Sequence, residues 1–308
     1  MASSEPSRYG LFLVFAICAI VSLLALLLSS VAIGRSSASK FTVNPGTLKQ
    51  EDDDYVWTFA AGHSWHGFEY RDESTGELRG FTVDLINAVC QEANKKCEII
   101  RDLYINCWDA KAGGPAHGGT GLMGGWYDGC SAWSQTRQRL NTFKFSKPYV
   151  QQLAEKITFY TADADSDLDW RDLTNRTVAF LDGWPASEDC IVLYDEINGF
   201  DKSNARHYPS IEEFIVGIKQ KEVDCGFAAL SEKLQKELHH LTTDELDYKC
   251  TLSAPSIMMR KDSQLDTWWN EAFDRIRANG KYSEVCRDLY EVHDFKRAQG
   301  TPSKCLDS

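Results

Sequence analysis

No run of basic residues longer than a pair such as Lys95-Lys96 occurs in this 308-residue chain, and its acids outnumber its bases 45 to 33, for a formal net charge of −12. Phosphate neutralisation needs clustered Lys and Arg, so nucleic-acid binding is excluded. No C-x-x-C pair occurs among the 10 cysteines. That argues against a zinc ribbon or a thioredoxin-like site, and no metal or cofactor is expected. No internal repeat is visible. Hydrophobic content of 43% and charged content of 25% leave no room for wholesale disorder or a collagen-like fibre.

The charge that is present is unevenly placed. Residues 1–40 hold one acid, Glu5, and three bases, Arg8, Arg35 and Lys40; the remainder carries 44 acids and 30 bases, a net −14. Gly10 to Gly34 contains no charge and is long enough to span a bilayer as a helix. An uncleaved signal anchor at residues 1–34 is therefore expected. The small residues Ser29, Ser30, Ala32 and Gly34 keep a cleaved signal peptide open. Residues 35–54, Ser-rich and then acidic at Glu51 to Asp54, form a linker. Nine cysteines follow residue 40, and Asn175-Arg176-Thr177 is a glycosylation sequon. Both suit a body that is extracellular or in the secretory lumen, either secreted or as a single-pass type II membrane protein. Nine is odd, so at least one of these cysteines is free or pairs between chains.

Beyond residue 54, apolar patterning predicts strands at Val56–Ala60, Glu98–Ile100, Ile157–Tyr160, Val178–Leu181, Cys225–Ala228 and Ile257–Met259. Helices are predicted at Val83–Val89, Ile211–Lys219, Leu265–Ala278 and Tyr282–Tyr290, with a Gly-rich loop at 112–129. Strands alternate with helices, which predicts an α/β fold with largely parallel sheets. Three motifs carry less than they suggest. Gly119-Thr120-Gly121-Leu122-Met123-Gly124 fits G-x-G-x-x-G, but no strand leads into it and no helix opens from it. Gly62-His63-Ser64-Trp65-His66 lacks the final Gly of a nucleophile elbow. His63 with His66, and His239 with His240, read as loop and surface histidines.

Two segments are more specific. One is Gly80-Phe81-Thr82-Val83-Asp84-Leu85-Ile86-Asn87-Ala88-Val89. The other runs from Asp128 through Ser131-Ala132-Trp133-Ser134-Gln135-Thr136-Arg137-Gln138-Arg139 to Phe145-Ser146-Lys147-Pro148-Tyr149. With Asn279-Gly280-Lys281-Tyr282 near the end, they resemble, in order and spacing, the family 3 extracellular solute-binding proteins. That group is similar to the ligand-binding domains of ionotropic glutamate receptors. The resemblance covers roughly residues 55–292. It implies a type 2 periplasmic-binding-protein-like fold of two α/β lobes on a hinge, with ligand between them. Lobe 1 would be 55–150 plus 260–294, lobe 2 151–259, and the tail 295–308. About thirty residues separate Tyr149 from the strand at Val178 and none spans a membrane, so no channel interrupts the lobes.

The resemblance also implies a site. Arg139 would hold a ligand carboxylate bidentately, as a planar guanidinium can. Ser134 and the backbone N–H near Ala132 would complete that grip. Trp65 and Trp108 match ligand-stacking positions, and lobe 2 would contribute Gly183, Trp184 and Pro185. The acids that usually pair with a ligand's α-amine fall at Gly62 and Ala229, where none is present. A buried ammonium without a counter-charge is costly, so a carboxylate lacking that amine, or a flat aromatic acid, fits better. A cation–π box of Trp65, Trp108 and Trp184 for a methylated amine is the other option. By analogy with the receptor domains, Cys250 would pair with Cys305; Cys107 with Cys130 is a second candidate pair. The function expected is binding of a small carboxylate-bearing or amino-acid-like molecule. Two alternatives stand beside it. One is an enzyme on the same scaffold, which needs a titratable group such as Asp182, Glu188 or His63 facing Arg139. The other is a ligand-free interaction domain.

Overall fold

The computed structural model describes residues 55–62, 67–110, 116–152, 156–241, 246–295 and 304–306. The expectations for residues 1–54, and for His63, Trp65 and His66, lie outside them. Among the described residues no helix is long and apolar enough to cross a membrane.

The chain builds two sheets in turn. The first strands and helices are β1 (Val56–Ala61), α1 (Phe81–Glu92), β2 (Lys96–Arg101), β3 (Gly129–Gln135), α2 (Arg137–Thr142) and β4 (Phe143–Phe145). The second sheet follows with β5 (Lys156–Thr161), β6 (Val178–Leu181), α3 (Glu188–Ile191), β7 (Ala205–Tyr208), α4 (Ile211–Lys219), β8 (Cys225–Ala229), β9 (His239–His240) and β10 (Leu246–Asp247). The chain then returns to the first sheet as β11 (Ser253–Arg260) and closes with α5 (Leu265–Ala278) and α6 (Lys281–Glu291). The first sheet has the order β2-β1-β3-β11-β4, the second β7-β6-β8-β5-β9 with β10 also on β5. The expectation of largely parallel sheets is corrected. β1 pairs in parallel with β2 and β3, and β6 with β7 and β8, but β11 and β5 run antiparallel to their neighbours. Each antiparallel strand sits where the chain crosses between sheets.

Local chemistry explains the elements. α1 starts at Gly80, whose φ of 127° and whose missing Cβ, 2.3 Å from the Phe68 carbonyl oxygen if present, admit only glycine. Its buried Phe81, Leu85, Ile86 and Val89 form one stripe. That stripe packs with Trp269 and Phe273 of α5 and Tyr282 and Leu289 of α6 against Phe59 and Met259 of the sheet. The other face of the first sheet is covered by Trp108, Leu122, Tyr127 and Phe143. In the second lobe α4, capped by Ser210 Oγ accepting from Glu213 N at 3.1 Å, covers one face, while Trp170, Leu173 and Tyr194 cover the other. The two crossings between lobes are tied to each other: Gln152 Nε2 donates to Thr251 Oγ1 at 2.7 Å.

Smaller expectations are also corrected. The glycine motif at 119–124 does contain structure, a helical turn at Thr120–Met123 preceded by the two-residue strand His117–Gly118. It is too short for a dinucleotide cradle. His239 and His240 are half-buried in β9 rather than on the surface. Asn175 is exposed, in a turn with φ of 59°.

Four disulfides join Cys90 to Cys97, Cys107 to Cys130, Cys190 to Cys250 and Cys286 to Cys305. The pairing of Cys250 with Cys305 is therefore wrong. Cys250 belongs to the core of the second lobe and Cys305 to that of the first. A disulfide needs Cα atoms within about 7 Å. Each cysteine meets that condition with a local partner instead, at 5.0 Å for Cys190–Cys250 and 6.1 Å for Cys286–Cys305. The odd cysteine is Cys225, buried in β8, and its burial pushes the thiol pKa up.

Non-reducing peptide mapping is expected to recover Cys190 with Cys250; a Cys250–Cys305 peptide would overturn the arrangement. The Cys190–Cys250 bond closes 60 residues of chain and Cys286–Cys305 closes 19. Replacing both cysteines of each pair by Ser is expected to cost about 4 and about 3 kcal/mol respectively in denaturant unfolding, from loop entropy. In the ectodomain, residues 41–308, Cys225 is expected to resist alkylation in the native protein and to react, alone, once the unreduced chain is unfolded in denaturant.

Candidate functional site

The junction of β3 and α2 faces the loop from β6 to α3 across the two lobes. Thr136 caps α2 by accepting from Arg139 N at 3.2 Å, which fixes the short helix and the direction of the Arg139 side chain. Arg139 is 3% exposed. Its guanidinium carbon lies 4.5 Å from the Trp133 ring centre and 5.9 Å from that of Trp108. Nη1 donates to the Ser134 carbonyl at 2.8 Å and Nη2 to the Gly183 carbonyl at 2.7 Å, the second bond crossing from one lobe to the other. The buried Nε–H has no partner among the described residues. Burial pushes the guanidinium pKa down to about 9, against the smaller opposing effect of nearby Tyr248. The group stays charged at neutral pH, buried against aromatic rings, with no described carboxylate paired to it.

A second contact joins the lobes beside it. The Tyr104 ring lies over Gly183 so closely that a Cβ there would sit 2.6 Å from a ring carbon, with the Asp182 carboxylate close to its hydroxyl. Gly183 also has φ of 72°, so two independent constraints require glycine. Asp182 is fixed from behind. His207 Nδ1 is 3.1 Å from Asp182 Oδ1, and its Nε2 is 2.8 Å from Glu188 Oε1. Burial works against a charge on His207. Hydrogen bonds to the two carboxylates override it and raise the imidazole to about 9, so the ring is an imidazolium between two acids at neutral pH. Burial raises the Glu188 pKa, but the His207 hydrogen bond, a backbone N–H bond and the nearby charges of His207 and Lys202 together outweigh it, and the net shift is downward.

The residues expected from sequence are brought together unevenly. Arg139, Trp108 and Trp184 line one cavity of about 800 Å³ between α2 and α3, together with Pro185 and Glu188. Gly183 reaches Arg139 through its carbonyl oxygen rather than an N–H. Ala132 takes φ of 63° at an irregular stretch of the β3–β11 register, and its N–H donates to Tyr149 Oη at 2.7 Å, away from a ligand role. Ser134 meets Arg139 by its carbonyl. Position 62 cannot carry an acid, because any Cβ would lie 1.9 Å from the Asp102 carbonyl oxygen. Ala229, the other acid position, gives its carbonyl to Tyr160 Oη at 3.2 Å.

Sequence reasoning missed Tyr104, His207 and Glu69. Glu69 is buried with its carboxylate 3.2 Å from Gly62 N and 2.5 Å from Ser131 Oγ. Nothing in the spacing of these three residues marks them. Trp133, under the guanidinium, lies within the quoted motif and is legible as an inward position of β3. Of the groups that acid–base chemistry would need, Asp182 and Glu188 are both engaged by His207.

The model of the bacterial extracellular solute-binding proteins, family 3, matches residues 58–290. Solved structures agree in fold. A Salmonella typhimurium periplasmic binding protein of high arginine specificity superposes with a TM-score of 0.54 at 17% identity, covering 76% of this chain and 98% of that one. The arginine-, lysine- and histidine-binding protein of Geobacillus stearothermophilus gives 0.54 at 18%, covering 80% and 97%. A Silicibacter pomeroyi binding protein of the His/Glu/Gln/Arg/opine family, in complex with lysine, gives 0.53 at 16%, covering 77% and 97%. At these identities the likeness is one of fold. No curated protein sequence matches at a significant level. With two α/β lobes meeting at a buried arginine, and the family model matching residues 58–290, the chain belongs to the family 3 extracellular solute-binding proteins.

Proposed function

We propose that this protein is a receptor, outside the cytosol, for a small carboxylate-bearing solute taken up between its lobes, with Arg139 as the anchor. The observation that carries the reading is the buried guanidinium with one unmatched N–H and no acid beside it. An isolated buried charge costs several kcal/mol. Two hydrogen bonds to carbonyls and two aromatic faces offset only part of that. A carboxylate offers more, because a charge-assisted pair is roughly twice as strong as a bond to a neutral acceptor. Its arrival at the Nε/Nη2 edge would exchange the Gly183 carbonyl for a better acceptor and reset the lobes around it.

Two of the solved neighbours bind arginine, or arginine, lysine and histidine, and all three ligands bear a carboxylate. This chain lacks the acid for an α-amine at Gly62 and Ala229, so an acid without that amine is the better match. The engagement of Asp182 and Glu188 by His207 weighs against acid–base chemistry. One observation favours a second reading, a ligand-free interaction domain. The Arg139 Nη2 and Ala132 N–H groups are already satisfied within the protein. In either case the apolar segment at residues 10–34 would tether or export the body.

Two measurements test this. The ectodomain, residues 41–308, is unfolded thermally against a panel of small carboxylic acids, amino acids and betaines. A ligand at about 100 times its Kd is expected to stabilise by about 2.7 kcal/mol. Arg139→Met is expected to match or exceed the wild-type melting temperature without ligand, since a charge lacking a partner is replaced by an apolar group of similar length. It is also expected to lose every ligand-induced shift. A wild type that no compound stabilises, beside an equally stable mutant, would leave the ligand-free domain as the reading.

The second measurement concerns pH. The His207 pKa is raised from about 6.5 when unfolded to about 9 when folded. Its contribution is full below pH 6.5 and declines as pH rises through 9. The difference in melting temperature between wild type and His207→Phe is therefore expected to shrink from pH 7 to pH 9.5. A constant difference would show that the ring is not an imidazolium.

A further inference from the structure

The same cavity carries a charge pattern that the single anchor does not explain. The chain is acidic overall, at −12. Yet Arg137, Arg139, Lys202, His207 and Lys249 all line this one cavity. Some of these are matched. Lys202 pairs with Asp189 at 2.5 Å, and His207 lies between Asp182 and Glu188. Arg137, Arg139 and Lys249 form no ion pair among the described residues; Asp247 lies near Lys249 but is itself paired to Lys156 at 3.0 Å. Lys249 is aimed instead by a cation–π contact, its Nζ 5.1 Å from the Tyr194 ring centre. Its place is also fixed by the neighbouring Cys190–Cys250 bond. Three unmatched cations stand against the one surplus carboxylate of the His207 cluster. Among the described lining residues that leaves two positive charges.

We infer that the solute is an amine-free dianion. Its first acid group sits at Arg139 and its second at the cavity mouth between Arg137 and Lys249. This rests on the receptor reading above and narrows it. The depth fits: Arg139 is 3% exposed while Arg137 and Lys249 are exposed, so the two anionic groups meet cations at the bottom and the rim of a cavity of about 800 Å³. Trp108 and Trp184 also line the cavity and offer apolar surface for the body of a dicarboxylate or a phosphorylated acid. An ammonium on the ligand would add charge of the sign already in excess there.

Calorimetric titration of the wild-type ectodomain with matched pairs tests it. The pairs are adipate against hexanoate, isophthalate against benzoate and 3-phosphoglycerate against glycerate. In at least one pair the dianion is expected to bind tenfold or more tightly than its partner. The phosphate arm separates a phosphorylated solute from a dicarboxylate. In the Arg137→Gln/Lys249→Gln double variant that ratio is expected to fall to about one while the monoanion Kd moves less than twofold. Equal binding of monoanion and dianion, or a ratio that survives in the double variant, would overturn the dianion and leave the carboxylate receptor standing. Failure of every probe to bind the folded wild type would overturn both.

Discussion

Much of this molecule is arranged around a positive charge that cannot be removed and has nowhere polar to go. A guanidinium stays protonated at any physiological pH, and Arg139 is enclosed by Trp133, Trp108 and the opposite lobe. Each neighbouring feature is a partial answer to that charge: the Ser134 carbonyl from its own strand, the Gly183 carbonyl from across the gap, the aromatic faces. Without an anion the answer is incomplete, as the buried Nε–H records. A site of this kind is poised, since whatever completes the arrangement also changes how the lobes meet.

The scaffold holds that centre with unequal stiffness. Within each lobe the contacts are apolar and dense, around Phe59, Trp269 and Tyr282 in one and Phe159, Phe180 and Phe227 in the other. Among the described residues the join between the lobes is made by the Arg139 bond to the Gly183 carbonyl and the Tyr104 ring over Gly183, with Gln152 bonded to Thr251 where the chain crosses. Polar contacts between lobes can be exchanged for contacts to a ligand or to water at little net cost, whereas opening an apolar core cannot. The division of chemistry therefore matches a division of labour between rigid bodies and a movable join.

What could be read from sequence follows the same division. The long apolar elements were legible because burial imposes their periods: the helix at Ile211–Lys219 and the strand at Val178–Leu181 stand where patterning puts them. Arg139 was legible because a spaced motif surrounds it. Strand direction was not, because antiparallel β5 and β11 carry continuous buried runs like that of parallel β6. The pairing of Cys250 was misread, since analogy supplied a partner in the other lobe where local packing supplies Cys190. Tyr104, His207 and Glu69 act through contacts between segments far apart in sequence, Tyr104 meeting Asp182 and His207 meeting Glu188, and no local pattern encodes such meetings. The backbone irregularity at Ala132, whose N–H goes to Tyr149 Oη, has no signature in the local pattern.

The acceptor that lobe 2 offers to Arg139 is a main-chain carbonyl. Every amino acid has one, so no substitution at position 183 deletes it, although most would distort it. Side chains around the cavity are free to drift under selection for a different solute, while the join itself is written in the part of the chain that mutation cannot edit. A lineage built on this scaffold could change what it captures many times over without having to reinvent how it closes.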